Sequence, residues 1–308
     1  MITNSVNPLV VKTELDSVFW QFYQMPQSPG LATRESSEIF NQETLTNAAH
    51  IEAVGGGAGG YWTEKGQSAA PDQKTPLVAN KVTYTAKTFA ADISISREYF
   101  DDNMFGTWSN QVKMFAINGR ATQEKEAFKL WRNAFTTQLT ADGQAFISSG
   151  HVLIGGGTES NLLTGALSES TLNTAIISLM QQKSQDGIPM GMQPAVLLVP
   201  PALFKLACEI TESALISDSA ENAINVYSTR YQIKVMQSVF LGSAVGGSDK
   251  AWFVLSSVHA VTRYVREALN TSIVDWRYST TESYVYRGRY REEYGVSDYI
   301  GVVGSTGL

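Results

Sequence analysis

Apolar side chains recur at spacings of three and four from Phe105 through Trp108, Val112 and Phe115, and again through Ala127, Leu130, Trp131, Ala134 and Phe135. That is the period of one helix face. Gln123, Glu124, Lys125, Glu126 and Lys129 fill intervening positions. The stretch therefore predicts a single amphipathic helix of roughly 45 Å at 1.5 Å per residue, polar face outward, with Gly119 as its bending point. Just before it the period drops to two. In "KVTYTAKTFAADISISRE" one phase holds Val82, Tyr84 and Ala86, the other Phe89, Ala91, Ile93 and Ile95, which predicts a long strand with a bulge where the phase slips. Extended from Lys81 to Ser96 it reaches roughly 50 Å, already the width of a compact domain whose radius of gyration is about 19 Å. An elongated molecule is expected.

Further along, Ser168 stands as N-cap to "ESTLNTAIISLMQQK", whose stripe is Leu172, Ala175, Ile176, Leu179 and Met180, and Gly187 and Pro189 stop it. "AVLLV" predicts a buried strand, and Pro201 is suited to open a helix through "LFKLACEIT". The remainder alternates strands ("YQIKVMQSVFL", "AWFVLSS", "SIVDW", "SYVYRGRYREEY", "YIGVVGSTG") with glycine turns, and residues 142–163 predict a loop or hairpin. The fold class is α+β.

The first 45 residues are a patchwork around a short helical stretch, "TELDSVFWQFYQ". Phe19, Trp20, Phe22 and Tyr23 are too apolar to leave in water, so this arm is expected to lie on another surface, its own or a neighbour's. In "GGGAGGYWTEKGQ", Gly55, Gly57 and Gly60 satisfy the G-x-G-x-x-G spacing of a dinucleotide-binding turn. That motif needs a helix directly after it to meet the pyrophosphate. Pro71, Pro76 and an absence of helical period follow instead, so a hairpin tip is the expectation.

Composition narrows the function. The 308 residues have a formal net charge of -6, which argues against strong sequence-independent binding to nucleic acid. No stretch approaches a membrane span, and the single cysteine, Cys208, predicts a small buried hydrophobe and no disulfide framework. His50, His151 and His259 are scattered without metal-ligand spacing. Asp142, Ser148 and His151 could be arranged as a triad, but Ser148 lies outside a G-x-S-x-G elbow. In "SYVYRGRYREEY", strand alternation puts Tyr284, Tyr286, Tyr290 and Tyr294 on one face and Arg287, Arg289 and Arg291 on the other. From Arg263 to Asp298 six Arg are balanced by Glu267, Asp275, Glu282, Glu292, Glu293 and Asp298, so arginines meeting carboxylates, in this subunit or another, are favoured over a nucleic-acid strip.

The order of several segments is more specific than any one of them. "DGQAFISSGHVLIGGGTESNLL", the Leu-Ser-started helix, the apolar strand running into "VPP", and "AINVYSTRYQIKVMQSVF" resemble the major capsid proteins of tailed phages, of the Mu-like head-subunit type. "GYWTEKGQ" and "DISISREYFDDN" resemble the tip and inner end of that family's extended loop. The resemblance implies a Hong Kong 97-type fold with an N-terminal arm over 1–45, an extended β-hairpin loop over 46–96, a peripheral domain with a long spine helix over 97–165, and an axial domain with the remaining peripheral strands over 166–308. It also implies a non-enzymatic protein of the virion, assembled in the bacterial host cytoplasm as pentamers and hexamers of itself. Scaffolding, portal and decoration proteins are implied partners, contact with the packaged DNA is weak, and no cofactor, metal or membrane is involved. Tyr61, Trp62, Glu64, Lys65, Arg287, Arg289 and Arg291 are the expected inter-subunit contacts. No charged scaffolding segment precedes the arm, so scaffolding is expected to be separate or already removed, and Lys65 and Lys74 cannot be assumed to form crosslinks. The rivals are an encapsulin-like nanocompartment in the same fold and a small hydrolase or nucleotide-binding enzyme in another.

Overall fold

The computed structural model describes residues 8–24, 36–54, 59–75, 80–98, 105–213, 226–279 and 281–308. Gly55 and Gly57 of the glycine run lie outside them. Among the described residues, two sheets carry the fold. The strands are β1 (Asn41–Thr44), β2 (Ala49–Val54), β3 (Asn80–Thr85), β4 (Lys87–Ser96), β5 (His151–Val152), β6 (Thr158–Glu159), β7 (Leu162–Leu163), β8 (Pro194–Val199), β9 (Lys234–Gln237), β10 (Trp252–Ser256), β11 (Val261–Val274), β12 (Ser283–Val296) and β13 (Val302–Ser305). The four-stranded sheet has the order β1-β11-β12-β4 and the five-stranded sheet β7-β13-β10-β8-β9, while β2-β3 and β5-β6 are hairpins.

The five-stranded sheet is buried on both faces, which its continuous apolar strands require. Leu198, Phe253 and Leu255 face a long helix, Phe105–Arg132, through Phe128 and Trp131. The alternate residues Leu197, Val199, Trp252 and Val254 face the helices Glu169–Gln181 and Pro201–Thr211. Ser168 caps the first of these in a capping box with Thr171, and Pro201 opens the second. Cys208 in that second helix is only half-buried, not the core residue expected, because the buried positions of its last turns are Ala207 and Thr211.

The long helix also covers the inner face of the four-stranded sheet, and here the expectation needs correcting. Gln123 and Glu124, expected on a solvent face, are 7 % and 4 % exposed. The N-terminal segment causes this. Its helix spans Pro8–Gln24, longer than the short stretch expected, and packs Val11, Leu15 and Phe19 against Val112 and Ala116 of the long helix and Tyr284 and Tyr286 of β12. The Tyr23 hydroxyl donates to Gln123 Oε1, and Ser36 donates to Glu124 through its amide (3.1 Å) and hydroxyl (2.7 Å). Thr271 and Tyr286 donate to Asp16 at 2.7 and 2.6 Å. Burial opposes ionisation of Asp16, yet hydrogen bonds from Lys12, Tyr286 and Thr271 hold its carboxyl below the usual range.

Two strand expectations also change. The predicted bulge at Ala86 is a change of sheet: β3 pairs with β2, and after Ala86 β4 pairs with β12 along Lys87–Ser96. "SIVDW" begins within the end of a strand that starts eleven residues earlier, at Val261, and finishes at Val274. Register shifts between Val265 and Glu267 and between Glu267 and Asn270 scramble the two-residue period and hide it. The β11–β12 ladder runs about 46 Å for its fourteen residues a side.

Candidate inter-subunit surfaces

The β2–β3 hairpin is fixed to the body at its base. Tyr84 of β3 lies over Gly295 of β12, where a Cβ would come within 2.2 Å of its ring. Its ring stacks on Tyr264 at 4.6 Å between centroids, with Leu45 and Ala86 completing the cluster. The Tyr264 hydroxyl donates to Glu52 of β2, whose other oxygen accepts from Ser297 at 3.0 Å. Thus a carboxylate and two stacked phenols hold the base of the hairpin on the outer face of the sheet.

The far end differs. Residues 59–75 contain neither helix nor strand, so no helix follows the glycines to receive a phosphate. Gly59 and Gly60 adopt φ of 89° and 83°, open to glycine at little cost. Asp72 braces the loop, accepting from Thr63 at 3.3 Å and pairing with Lys74 at 2.8 Å. Those two bonds hold its carboxyl below the usual range. Beyond this brace Trp62 is 91 % and Tyr61 68 % exposed, and Glu64 and Lys65 are exposed beside them. The loop touches its own body where the Gly59 amide donates to Asp186 at 3.3 Å.

On β12 the tyrosines point inward and are buried, and the arginines point outward. Within the chain, Arg287 meets Asp92 through two bonds of 2.7 Å and Arg289 approaches Glu267 at 3.4 Å. Arg291 is half-buried, and its Nε has no hydrogen-bond partner among the described residues. Inside, Glu292 is 1 % exposed and accepts from Arg263 (3.0 and 2.5 Å), Gln123 (3.4 Å) and Tyr294 (3.0 Å). Sequence alternation gave no sign of this network, because a carboxylate in a tyrosine phase looks like an exception until its arginine is placed.

The three candidate triad residues do not form a catalytic arrangement. The fully buried His151 ring bonds Asp142 Oδ2 through Nδ1 at 2.8 Å, faces Asn161 Oδ1 through Nε2 at 3.2 Å, and stacks on Tyr299 at 4.2 Å. Ser148 Oγ instead accepts the Gly150 amide at 3.3 Å, while its own amide donates to Asn161. Asn161 donates on to the carbonyls of Phe146 and Val302. The Asp, His and Asn of the segment behind the resemblance are therefore one buried strut tying the 142–163 loop to β13. Burial opposes the charge on Asp142, but bonds from His151, Thr140 and the Gln144 amide outweigh it and lower its pKa. His50 lies 3.5 Å from Glu43 and His259 accepts the Val261 amide. Among the described residues no three His, Cys, Asp or Glu side chains gather as metal ligands, and no helix is long and apolar enough to cross a membrane.

Residues 79–305 match the family model described as phage capsid protein. No curated protein matches the chain. Among solved structures, the chain is similar to that of Microbacterium phage Oxtober96, at 11% identity and TM-score 0.56 over 92% of this chain and 94% of that one. It is also similar to the capsid of bacteriophage JBD30 decorated with minor capsid protein trimers, at 14% identity and TM-score 0.53 over 79% and 100%. A third is the virus-like particle from Pyrococcus furiosus, at 7% identity and TM-score 0.54 over 95% and 98%.

Proposed function

The chain belongs to the phage capsid protein family, and from that premise we propose that it is the major head subunit of a tailed phage, building an icosahedral shell around double-stranded DNA. The family match over residues 79–305 carries this reading. In the Hong Kong 97-type arrangement, the four-stranded sheet with its long helix serves as the peripheral domain and the five-stranded sheet with two helices as the axial domain. The N-terminal segment is the arm, and β2–β3 with residues 59–75 is the extended loop, whose inner boundary falls at Ala86, since β4 pairs into the peripheral sheet. The axial domains gather at the centres of pentamers and hexamers, and Tyr61, Trp62, Glu64 and Lys65 lie across a neighbouring subunit. Of the three outward arginines, Arg291 is the one left to seek a carboxylate there, because Asp92 and Glu267 already serve the other two.

The work of such a protein is interface energy, not turnover. Obligate contacts bury well over 2,000 Å², and a loop with exposed aromatic rings supplies part of that area. The net charge of -6 gives the wall little grip on packaged DNA. Assembly proceeds in the host cytoplasm with separate or cleaved scaffolding and a portal, and a decoration protein, such as the minor capsid protein trimers named for the JBD30 capsid, is a further partner in this reading. The likeness to the Pyrococcus furiosus particle supports a second reading, an encapsulin-like compartment. Electron microscopy of purified particles separates the two: DNA-filled shells support the head, and shells holding a protein cargo support the compartment. A monomer or small oligomer under all assembly conditions would reject both.

A further inference from the structure

A groove of 490 Å³ runs between the long helix and β4, an edge strand of the four-stranded sheet. Phe115 and Gly119 line it from the helix, Phe89 and Ala91 from β4, and Gly288 and Tyr290 from β12; Phe19 of the N-terminal helix joins them. Phe89 stacks on Tyr290 with 5.0 Å between ring centroids, and Phe115 lies 6.0 Å from Phe19.

Among the described residues nothing requires the two glycines. Gly119 stands inside a helix of 28 residues and Gly288 inside a strand of 14, where glycine weakens either element relative to alanine. Neither adopts a left-handed φ, a Cβ on Gly119 would meet nothing within 4 Å, and one on Gly288 would make an ordinary contact with the Phe115 ring at 3.5 Å. Gly288 also pairs with β4 in unbroken register, so no bulge there accounts for it. A strand glycine of that kind marks the close approach of a ligand or another backbone.

We propose that the groove binds a neutral, flat, largely aromatic small molecule. Its volume falls within the range of about 300–1,000 Å³ usual for small-molecule sites, and its aromatic walls offer stacked and edge contacts to a planar ring system. Charge selects against an ion. Of the lining residues Asp92 alone is charged, and Arg287 already holds it through two bonds of 2.7 Å, so a charged ligand would lose its water and gain no unpaired counter-charge. Asn118 and Thr122, also in the lining, add uncharged hydrogen-bonding groups. A molecule seated there touches the N-terminal helix, the long helix and two strands together, and so holds them to one another.

The test uses the purified full chain and two fluorescent probes that share one aromatic skeleton, neutral N-phenyl-1-naphthylamine and its sulfonated analogue 8-anilinonaphthalene-1-sulfonate. Saturable binding of the neutral probe, at least tenfold tighter than that of the sulfonate and accompanied by a higher melting temperature, is expected. Absence of saturable binding, or equal affinity for the two probes, overturns the proposal. Gly119→Leu fills the groove from the helix, into open space and with a better helix former; Ala91→Leu fills it from an exposed strand position. Both variants are expected to melt no lower than the parent and to bind the neutral probe at least tenfold more weakly. Parent-like affinity in either folded variant would overturn the proposal. So would binding by free subunits that is lost in closed shells, because a neighbouring chain would then be the occupant.

Discussion

The two ends of the extended hairpin obey opposite rules. At its base Tyr84 and Glu52 are held by Tyr264 of β11, and Gly295 of β12 is a glycine because the Tyr84 ring occupies the place of its side chain. At its tip Trp62 is almost fully exposed, and among the described residues the Asp72 brace and one bond to Asp186 hold the loop. One end is finished within the chain. The other, apolar yet uncovered, makes sense when another chain covers it, so stability of the subunit and assembly of the shell are separable properties of one hairpin.

Gly295→Val should break the base most severely. Its new carbon atoms must displace the Tyr84 ring, and overpacking of this kind costs about 3 kcal/mol, read as a lower urea midpoint of the isolated subunit. Tyr264→Phe keeps the stacking but removes the donor to Glu52. A loss of about 1.5 kcal/mol by the same assay is expected, with an unchanged midpoint indicating that the carboxylate is satisfied without it.

The body away from the hairpin carries an acid-sensitive element. Because the folded-state pKa of Asp142 is lowered, its contribution is present above the ordinary carboxylate value of about 4 and is lost as pH falls through the folded value. Asp142→Asn should therefore flatten the acid limb of the stability curve by about 1 kcal/mol after allowance for solvent screening, measured as urea midpoints between about pH 6 and pH 2. Equal slopes for parent and variant would contradict that role. Trp62→Ala is the mildest change for the subunit, within about 0.5 kcal/mol of the parent as for other exposed positions, although it should weaken assembly.

Much of this was legible in the sequence where one period governed one environment. The Ser168 cap, the strand into Pro200-Pro201 and the alternation of β12 all follow from local rules. The failures share a cause, which is packing between segments distant in sequence. Gln123 is met by Tyr23 of the Pro8–Gln24 helix and Glu124 by Ser36, both about a hundred residues earlier, and the slip at Ala86 marks a change of partner strand that no local pattern distinguishes from a bulge. The Asp142–His151–Asn161 strut was visible as residues but not as a role, since a buried structural histidine and a catalytic one differ in what stands at the second ring nitrogen, here Asn161.

The separation of base from tip is tested most directly by replacing residues 58–79 with a short Gly-Ser turn and following the product beside its parent by light scattering and electron microscopy. β2, β3 and both sheets lie outside the replaced residues, so a folded subunit with the parent's urea midpoint that fails to form closed particles is the predicted result. Normal shells from the shortened chain would contradict it, and would mean that these residues are not the loop by which one subunit holds the next.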